Sequence, residues 1–351
     1  MPRPATPSSH PHALDSQPSP ARRRLVRAAI LAGFGSVLPV CQGAAAAQAV
    51  QRWTPGGTVR LVVPFAAGGT ADLVARLLAE GLARRLGHPV IVENRAGAGG
   101  NIGIASVARA APDGRTLLLA STAFLTNPAL HPDQPPYDPV RQFAAISELV
   151  SAPDVILVRS DSPFSTLGDL LAKAKASAGA ASYATPGNGN SVHLGAELLW
   201  QKVGVTLLHV PYNGAAPAIQ AVLGGQVDCA LSALPPALPL LAGGKLRALA
   251  LGGTSRWHAL PGVPTIAESG FAGYRSETMQ ALYAPAGTPP AAIDRLHREV
   301  ASMLAEAPVR RRLAEMGFAV VAGSPEALSK RVAEEVPRWA RVAATARIRA
   351  D

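Results

Sequence analysis

The chain has 351 residues, 48% of them hydrophobic, 16% charged and 5% aromatic, with a formal net charge of +10. That length accommodates two domains and a sizeable core. Scattered basic residues and sparse aromatics argue against a nucleic-acid surface and mildly favour anionic solutes.

Residues 1–49 read as a disordered leader and an export signal. Residues 1–20 are rich in Pro, Ser and His, Arg22, Arg23 and Arg24 form a basic region, residues 28–40 an apolar core, and Ala47-Gln48-Ala49 an A-x-A cleavage site. The apolar core is too short to span a bilayer. Arg22-Arg23-Arg24-Leu25-Val26 also resembles a twin-arginine signal. The bulk of Val40 before Cys41 speaks against a lipoprotein site. The leader holds five arginines (Arg3, Arg22, Arg23, Arg24, Arg27) against Asp15, four of the ten net positive charges, so +6 remains beyond it. No later stretch approaches the roughly 18 apolar residues of a membrane span. The expectation is a soluble, exported, periplasmic protein. Its one remaining cysteine, Cys229, lies in an apolar run and is expected to be a buried thiol.

Residues 59–63 are a short β-branched run, a buried strand. Pro64 ends it, Gly68 and Gly69 lie in the loop that follows, and a helix begins with Thr70 as its expected N-cap and Asp72 in its first turn. A strand, a glycine loop and a helix start gather free backbone N–H groups that attract an anion. The alternative is an ordinary strand-to-helix connection.

A second strand is expected at 89–92, a glycine-rich loop at 94–101, a short helix at 102–110 and a third strand at 116–120. Strands spaced by helices imply an α/β protein with a parallel sheet. Residues 121–138 read as irregular, and 143–159 as two extended pieces around Ser151-Ala152-Pro153. Further strands are expected at 181–184, 205–210, 227–232 and 246–252, alternating with helices at 167–176, 191–203 and 214–223. A strand at 278–284 and helices at 290–305, 308–316 and 324–345 complete the chain. This division gives residues 50–155 plus 273–351 to lobe 1 and 156–272 to lobe 2. Two crossings between the lobes make a hinged clamp.

Four loops share one design: 64–72, 121–128, 185–193 and 211–217. Each follows a strand, is rich in Gly, Ser, Thr or Asn, and contains neither Lys nor Arg. Ligands of open α/β sheets bind at such carboxyl ends. The expected ligand contacts are the backbone at Phe65, Ala67, Gly69 and Thr70, hydroxyls of Ser121, Thr122 and Ser191, and Asn190, all directed at a carboxylate. Thr185, Gly187 and His193 belong to the third loop. Asp72 and Asp228 form a possible acidic pair, or brace loops instead. Tyr212 offers a ring wall and an O–H, or is a core tyrosine.

Other chemistry finds little support. Gly97-Ala98-Gly99-Gly100-Asn101-Ile102 approaches a dinucleotide fingerprint but lacks its third glycine. No G-x-S-x-G elbow exists. His193 and Glu197 stand four apart, without an H-E-x-x-H. No catalytic residue, metal or cofactor is assigned.

The runs Val63-Pro64-Phe65-Ala66-Ala67-Gly68-Gly69-Thr70-Ala71-Asp72 and Val92-Glu93-Asn94-Arg95-Ala96-Gly97-Ala98-Gly99-Gly100-Asn101-Ile102-Gly103 resemble the Bug (TctC-like) periplasmic solute receptors of tripartite tricarboxylate transporters. The likeness continues through Pro112-Asp113-Gly114, Thr185-Pro186-Gly187-Asn188-Gly189, His193-Leu194, His209-Val210-Pro211-Tyr212 and Gly224-Gly225-Gln226-Val227-Asp228. It implies a type II periplasmic binding protein (Venus flytrap) fold, two lobes of mixed sheet flanked by helices. It also implies that main-chain groups and waters at the loops starting at Pro64 and Thr185 hold a ligand carboxylate. Asn190 and Ala123-Phe124 depart from the family pattern, which leaves the distal ligand group open. The expected function is non-enzymatic capture of a small carboxylate by a monomer that serves membrane permease subunits. The rivals are a same-fold sensor partner in signalling and an exported hydrolase or lyase using Asp72, His193 and Asp228.

Overall fold

The computed structural model describes residues 53–212 and 214–349. The expected leader, its signal and Cys41 lie outside the described residues.

β1 (Val59–Val63) is buried except at Arg60. It feeds α1 (Thr70–Leu86), whose Val74, Ala75, Leu78 and Leu82 pack inward. Gly69, not Thr70, is the N-cap, and no side chain caps this end. Next come β2 (Val90–Asn94), a tight turn at Ala98–Gly100, α2 (Asn101–Ala108) and β3 (Thr116–Ser121). The stretch expected to be irregular contains α3 (Ala123–Leu130). Pro128 and the polar Thr126 and Asn127 disguise it in sequence. Its stability comes from tertiary burial of Phe124, Leu125 and Leu130.

β4 (Phe143–Arg159) is one continuous strand of 17 residues, not two pieces. It pairs with β9 (Glu277–Pro285) as far as Pro153, and with β7 (Cys229–Ala233) from Asp154 onward. Pro153 sits where the neighbour changes, so its missing N–H does not interrupt a regular ladder.

Between those partners run α4 (Leu167–Ala176), β5 (Ser182–Thr185), α5 (Ser191–Val203), β6 (Leu208–Pro211) and α6 (Ala215–Leu223). α4 starts with a Thr166/Asp169 capping box. After β7 come α7 (Leu238–Ala242) and β8 (Leu246–Leu251). After β9 come α8 (Pro290–Leu304), α9 (Ala307–Glu315), β10 (Ala319–Val320) and α10 (Pro325–Ala346).

The strand order is β2-β1-β3-β9-β4-β7-β5-β6, with β8 and β10 also on β4. β1 is parallel to β2 and β3, and β5 is parallel to β6 and β7. β9 and β4 run antiparallel to their neighbours. The sheet is therefore mixed, and β4 is common to its two halves.

Each half has apolar clusters on both faces. Leu194 of α5 is buried in a cluster with Phe124, Leu130 and Trp339 of the first half, so the halves touch there. The chain passes between halves at two adjacent points. Asp154 N donates to Ser276 O (3.1 Å), Ser276 N to Gly252 O (2.9 Å), and Gly252 N to Asp154 O (2.7 Å). Cys229 is buried, as its surroundings in sequence suggest.

Candidate functional site

The loops at Pro64 and Thr185 border one cavity of about 430 Å³. Phe65 contributes from the first, and Asn188, Gly189 and Asn190 from the second. The remaining walls come from Ala98, Gly99 and Asn101 around the start of α2, and from Ala123, Asn127, Leu130 and His131 on α3 and its end. Among the described residues of this lining there is no Lys, Arg, Asp or Glu.

The first loop is shaped by Asp72, which is only 2% exposed. Its Oδ2 accepts from Gly68 N (2.9 Å) and Arg76 Nε (2.8 Å), and its Oδ1 accepts from Asn94 Nδ2 (3.1 Å). Asn94 Nδ2 also donates to Phe65 O (3.1 Å). The Arg76 bond, outweighing the cost of burial and joined by those from Gly68 and Asn94, holds the Asp72 carboxyl below its ordinary range. Asp72 thus braces the loop and leaves ligand contact to others. The first intrahelical bond of α1 is Leu73 N to Gly69 O (3.1 Å). The N–H groups of Thr70 and Ala71 precede it and have no intrahelical acceptor. Ala67, Gly69 and Thr70 are exposed around that helix end.

Close packing fixes α2 against the same loop. A Cβ on Gly103 would lie 2.7 Å from Arg95 O and 2.8 Å from Pro64 Cα. Only glycine lets the helix approach so near.

The second loop is braced from behind. Thr185 Oγ1 bonds Gly187 O (3.1 Å) and lies 2.7 Å from His209 Nε2. Gly189 N donates to His193 Nδ1 (2.9 Å), and His193 N donates to Asn190 Oδ1 (2.8 Å), the N-cap of α5. Gly189 has φ +68, a left-handed conformation that favours glycine, and touches Leu130 across the cleft. His193 and His209 stack with ring centroids 3.7 Å apart. Burial, with His209 adding to it, pushes His193 down to about 3, and burial pushes His209 down to about 4. Both are neutral at physiological pH. With Gly189 N–H committed, the donors left to this loop include the Asn190 amide and the first-turn N–H groups of Ser191 and Val192.

Several expected contacts are taken up internally. Thr122 Oγ1 donates to Glu277 O (3.1 Å) and accepts from Met279 N (2.9 Å), anchoring α3 to β9. Thr185 is fully buried. Tyr212 Oη donates to Gln226 Oε1 (3.3 Å), and Tyr212 is not among the cavity-lining residues. Asp228 accepts from Ser182 N (2.8 Å), Ser182 Oγ (2.9 Å) and Lys173 Nζ (2.6 Å). It stands beside the start of β5, the end opposite the Thr185 loop, so the suggested pair of Asp72 and Asp228 does not form. Ser121, at the end of β3, accepts from Ala123 N (3.3 Å). Phe65, Asn190 and Ser191 remain near the open donors.

Sequence reasoning missed Asn101, Asn127 and His131. Asn127 Nδ2 donates to Gly99 O (3.0 Å) and Asn101 Oδ1 (2.7 Å), and Asn101 Nδ2 lies 3.5 Å from His131 Nε2. The glycine run at 97–100 was the signal for Asn101. Asn127 lay in the expected ligand loop 121–128 without being singled out, and His131, beyond it, had no signal.

The profile described as "Tripartite tricarboxylate transporter family receptor" (TctC) matches residues 74–347. BugT of Bordetella pertussis is 35% identical over 290 residues, 82% of this chain and 89% of that protein. The solved structure of R. palustris Rpa4515 with adipate is 34% identical, with a TM-score of 0.74, covering 84% of this chain and 99% of that one. MatC from Rhodopseudomonas palustris with bound malate is 34% identical, with a TM-score of 0.71, covering 82% and 99%. The mixed two-part sheet and its crossings are accordingly those of a periplasmic binding protein. The chain belongs to the TctC/Bug family of solute-binding receptors of tripartite tricarboxylate transporters, a family of periplasmic receptors and not of enzymes.

Proposed function

We propose that the protein captures a small carboxylate between its two lobes and delivers it, as a monomer, to the permease subunits of its transporter. The carrying observation is the cavity of about 430 Å³ between Phe65 and Asn188–Asn190, with no Lys, Arg, Asp or Glu among the described residues of its wall. In such a place an anion is held by peptide N–H groups and hydroxyls, and α1, which follows the cavity-lining Phe65 in the chain, has an uncapped start. Charge-assisted bonds of this kind contribute roughly 1.5–3 kcal/mol each, so three or four suffice for micromolar affinity after ordering costs. The contacts assigned are the backbone from Phe65 to Thr70, excepting the Gly68 N–H that Asp72 holds, together with Asn190 and Ser191. Ser121 stands at the adjoining strand end. The family, and the adipate and malate in two relatives, support the ligand class. Export by a cleavable signal within residues 1–49 fits a periplasmic receptor.

The test is mass spectrometry of acids that co-purify with the mature protein, followed by thermal unfolding of stripped protein with a library of carboxylates. A ligand at a hundredfold its Kd stabilises by about 2.7 kcal/mol. No shift with any acid on confirmed ligand-free protein would overturn the reading.

A further inference from the structure

Resting on that reading, we propose that His131 is the specificity-determining residue of the cavity. With Asn101 it receives the far end of the ligand, and as an imidazolium it admits a second carboxylate.

Among the described residues, His131 is the one ionisable side chain in the cavity lining. Asn127 fixes the neighbouring amide. By donating to Asn101 Oδ1 it turns Asn101 Nδ2 toward His131 Nε2, 3.5 Å away. In the Nδ1–H tautomer a neutral Nε2 accepts from Asn101. A protonated Nε2 cannot, so its N–H is released to whatever occupies the cavity. His131 is also the C-cap of α3, and its N–H bonds Pro128 O (3.3 Å).

Among the described residues, no Lys, Arg, Asp or Glu lines this cavity; Arg347 and Arg349 at the end of α10 line a separate pocket with Pro128, Ala129 and Pro132. The turn before α2 presents Ala98 and Gly99, α3 presents Ala123, Asn127 and Leu130, and the facing loop presents Asn188–Asn190. Asp133, two residues on, pairs with Arg349 (3.2 Å). His193 behind the facing loop is neutral and committed to Gly189 N.

The chemistry of the wall is therefore mixed. Phe65, Ala123 and Leu130 offer apolar surface, and Asn101 with His131 offers polar groups besides the peptide donors of the two loops. The ligand class that fits is a carboxylate with a short apolar spacer and a second oxygen-bearing group. Where that group is also a carboxylate, peptide donors are already engaged by the first one, and among the described lining residues His131 is the one that can supply countercharge. Histidine is the side-chain type whose charge changes between about pH 5 and 8.

The experiment compares linear diacids of roughly four to eight carbons with their half-amides, by calorimetry on stripped mature protein at about pH 8 and about pH 6. Each pair is measured on one protein at one pH, so titration elsewhere cancels in the ratio of the two Kd values. In the wild type, the preference for diacid over half-amide is expected to grow about tenfold on acidification. In His131→Asn that growth disappears. Asn101→Asp keeps the acceptor for Asn127 but adds negative charge, and is expected to cut the diacid preference about tenfold at either pH. Acids that bind with a pH-independent ratio, or a ratio that shifts equally in His131→Asn, would overturn the assignment of His131 alone. Failure of every acid and half-amide to bind the wild type would overturn the capture reading, and this one with it.

Discussion

Asp154 and Ser276 join the two passages of the chain between the halves of the sheet. Ser276 Oγ donates to Asp154 Oδ2, while Asp154 N donates to Ser276 O (3.1 Å). Thr278 Oγ1 donates to Asp154 Oδ1 (3.1 Å). Two hydroxyls compensate a buried carboxylate only partly. Burial therefore pushes Asp154 up to about 7, against the lowering effect of Ser276 and Thr278, with a small further rise from Glu277.

A raised carboxyl stabilises the fold when protonated. Its contribution is full below its ordinary value of 3.8 and declines as pH rises toward about 7. His193 and His209 oppose this, because their depressed values give stability that is present above 6.5 and lost on acidification toward about 3 and about 4. Wild-type stability between these limits is a partial cancellation. Asp154→Asn removes one side of it. Its stability relative to wild type should rise by about 1.4 kcal/mol per pH unit across that window. Denaturant unfolding of both proteins at several pH values checks this, and a pH-independent difference would refute it.

Asp72→Ala should damage the binding loop without touching ligand. It strands Gly68 N–H, Asn94 Nδ2 and Arg76, so a loss of about 1–3 kcal/mol in stability is expected. Affinity for the bound acid should fall about tenfold, because the amides of residues 65–70 lose their preset arrangement. Calorimetry and unfolding of the same variant report both effects.

Gly189→Ala should act on closure. The new methyl would lie 2.8 Å from Leu130 Cδ1, on backbone held at φ +68. Crowding at that cross-cleft contact and left-handed strain together should weaken binding by about 1–3 kcal/mol. The loss should appear mainly in the dissociation rate, measured by stopped flow.

Arg331 of α10 is 10% exposed and pairs with Glu148 of β4 and, at 3.2 Å, with Glu335. Arg331→Met leaves Glu148 without its partner, while Glu335 keeps Trp339 Nε1 (2.8 Å) and Arg338 (3.8 Å). The substitution should cost about 3–5 kcal/mol. Arg331→Met combined with Glu148→Gln should recover part of that loss in a double-mutant cycle of unfolding energies.

The sequence by itself determined the alternation of strands and helices, the glycine loops after β1 and β5, the absence of Lys and Arg from them, and the family resemblance. These are local signals. Apolar periodicity, glycine at turns and helix-start residues act over a few positions and are legible in order along the chain. Tertiary structure alone decided which polar side chains remain for a ligand. Thr122, Thr185, Asp72 and Asp228 look equally available as letters, yet each is claimed by a partner that may lie as far as 157 positions away, as Met279 does from Thr122. The same holds for α3, whose polar and proline-bearing sequence becomes helical only because Phe124, Leu125 and Leu130 are buried by distant elements. Asn101 and His131, 30 positions apart, meet for that reason in the cavity wall. The energy of such long-range pairing is released only when the chain has folded, so no short window of sequence records it.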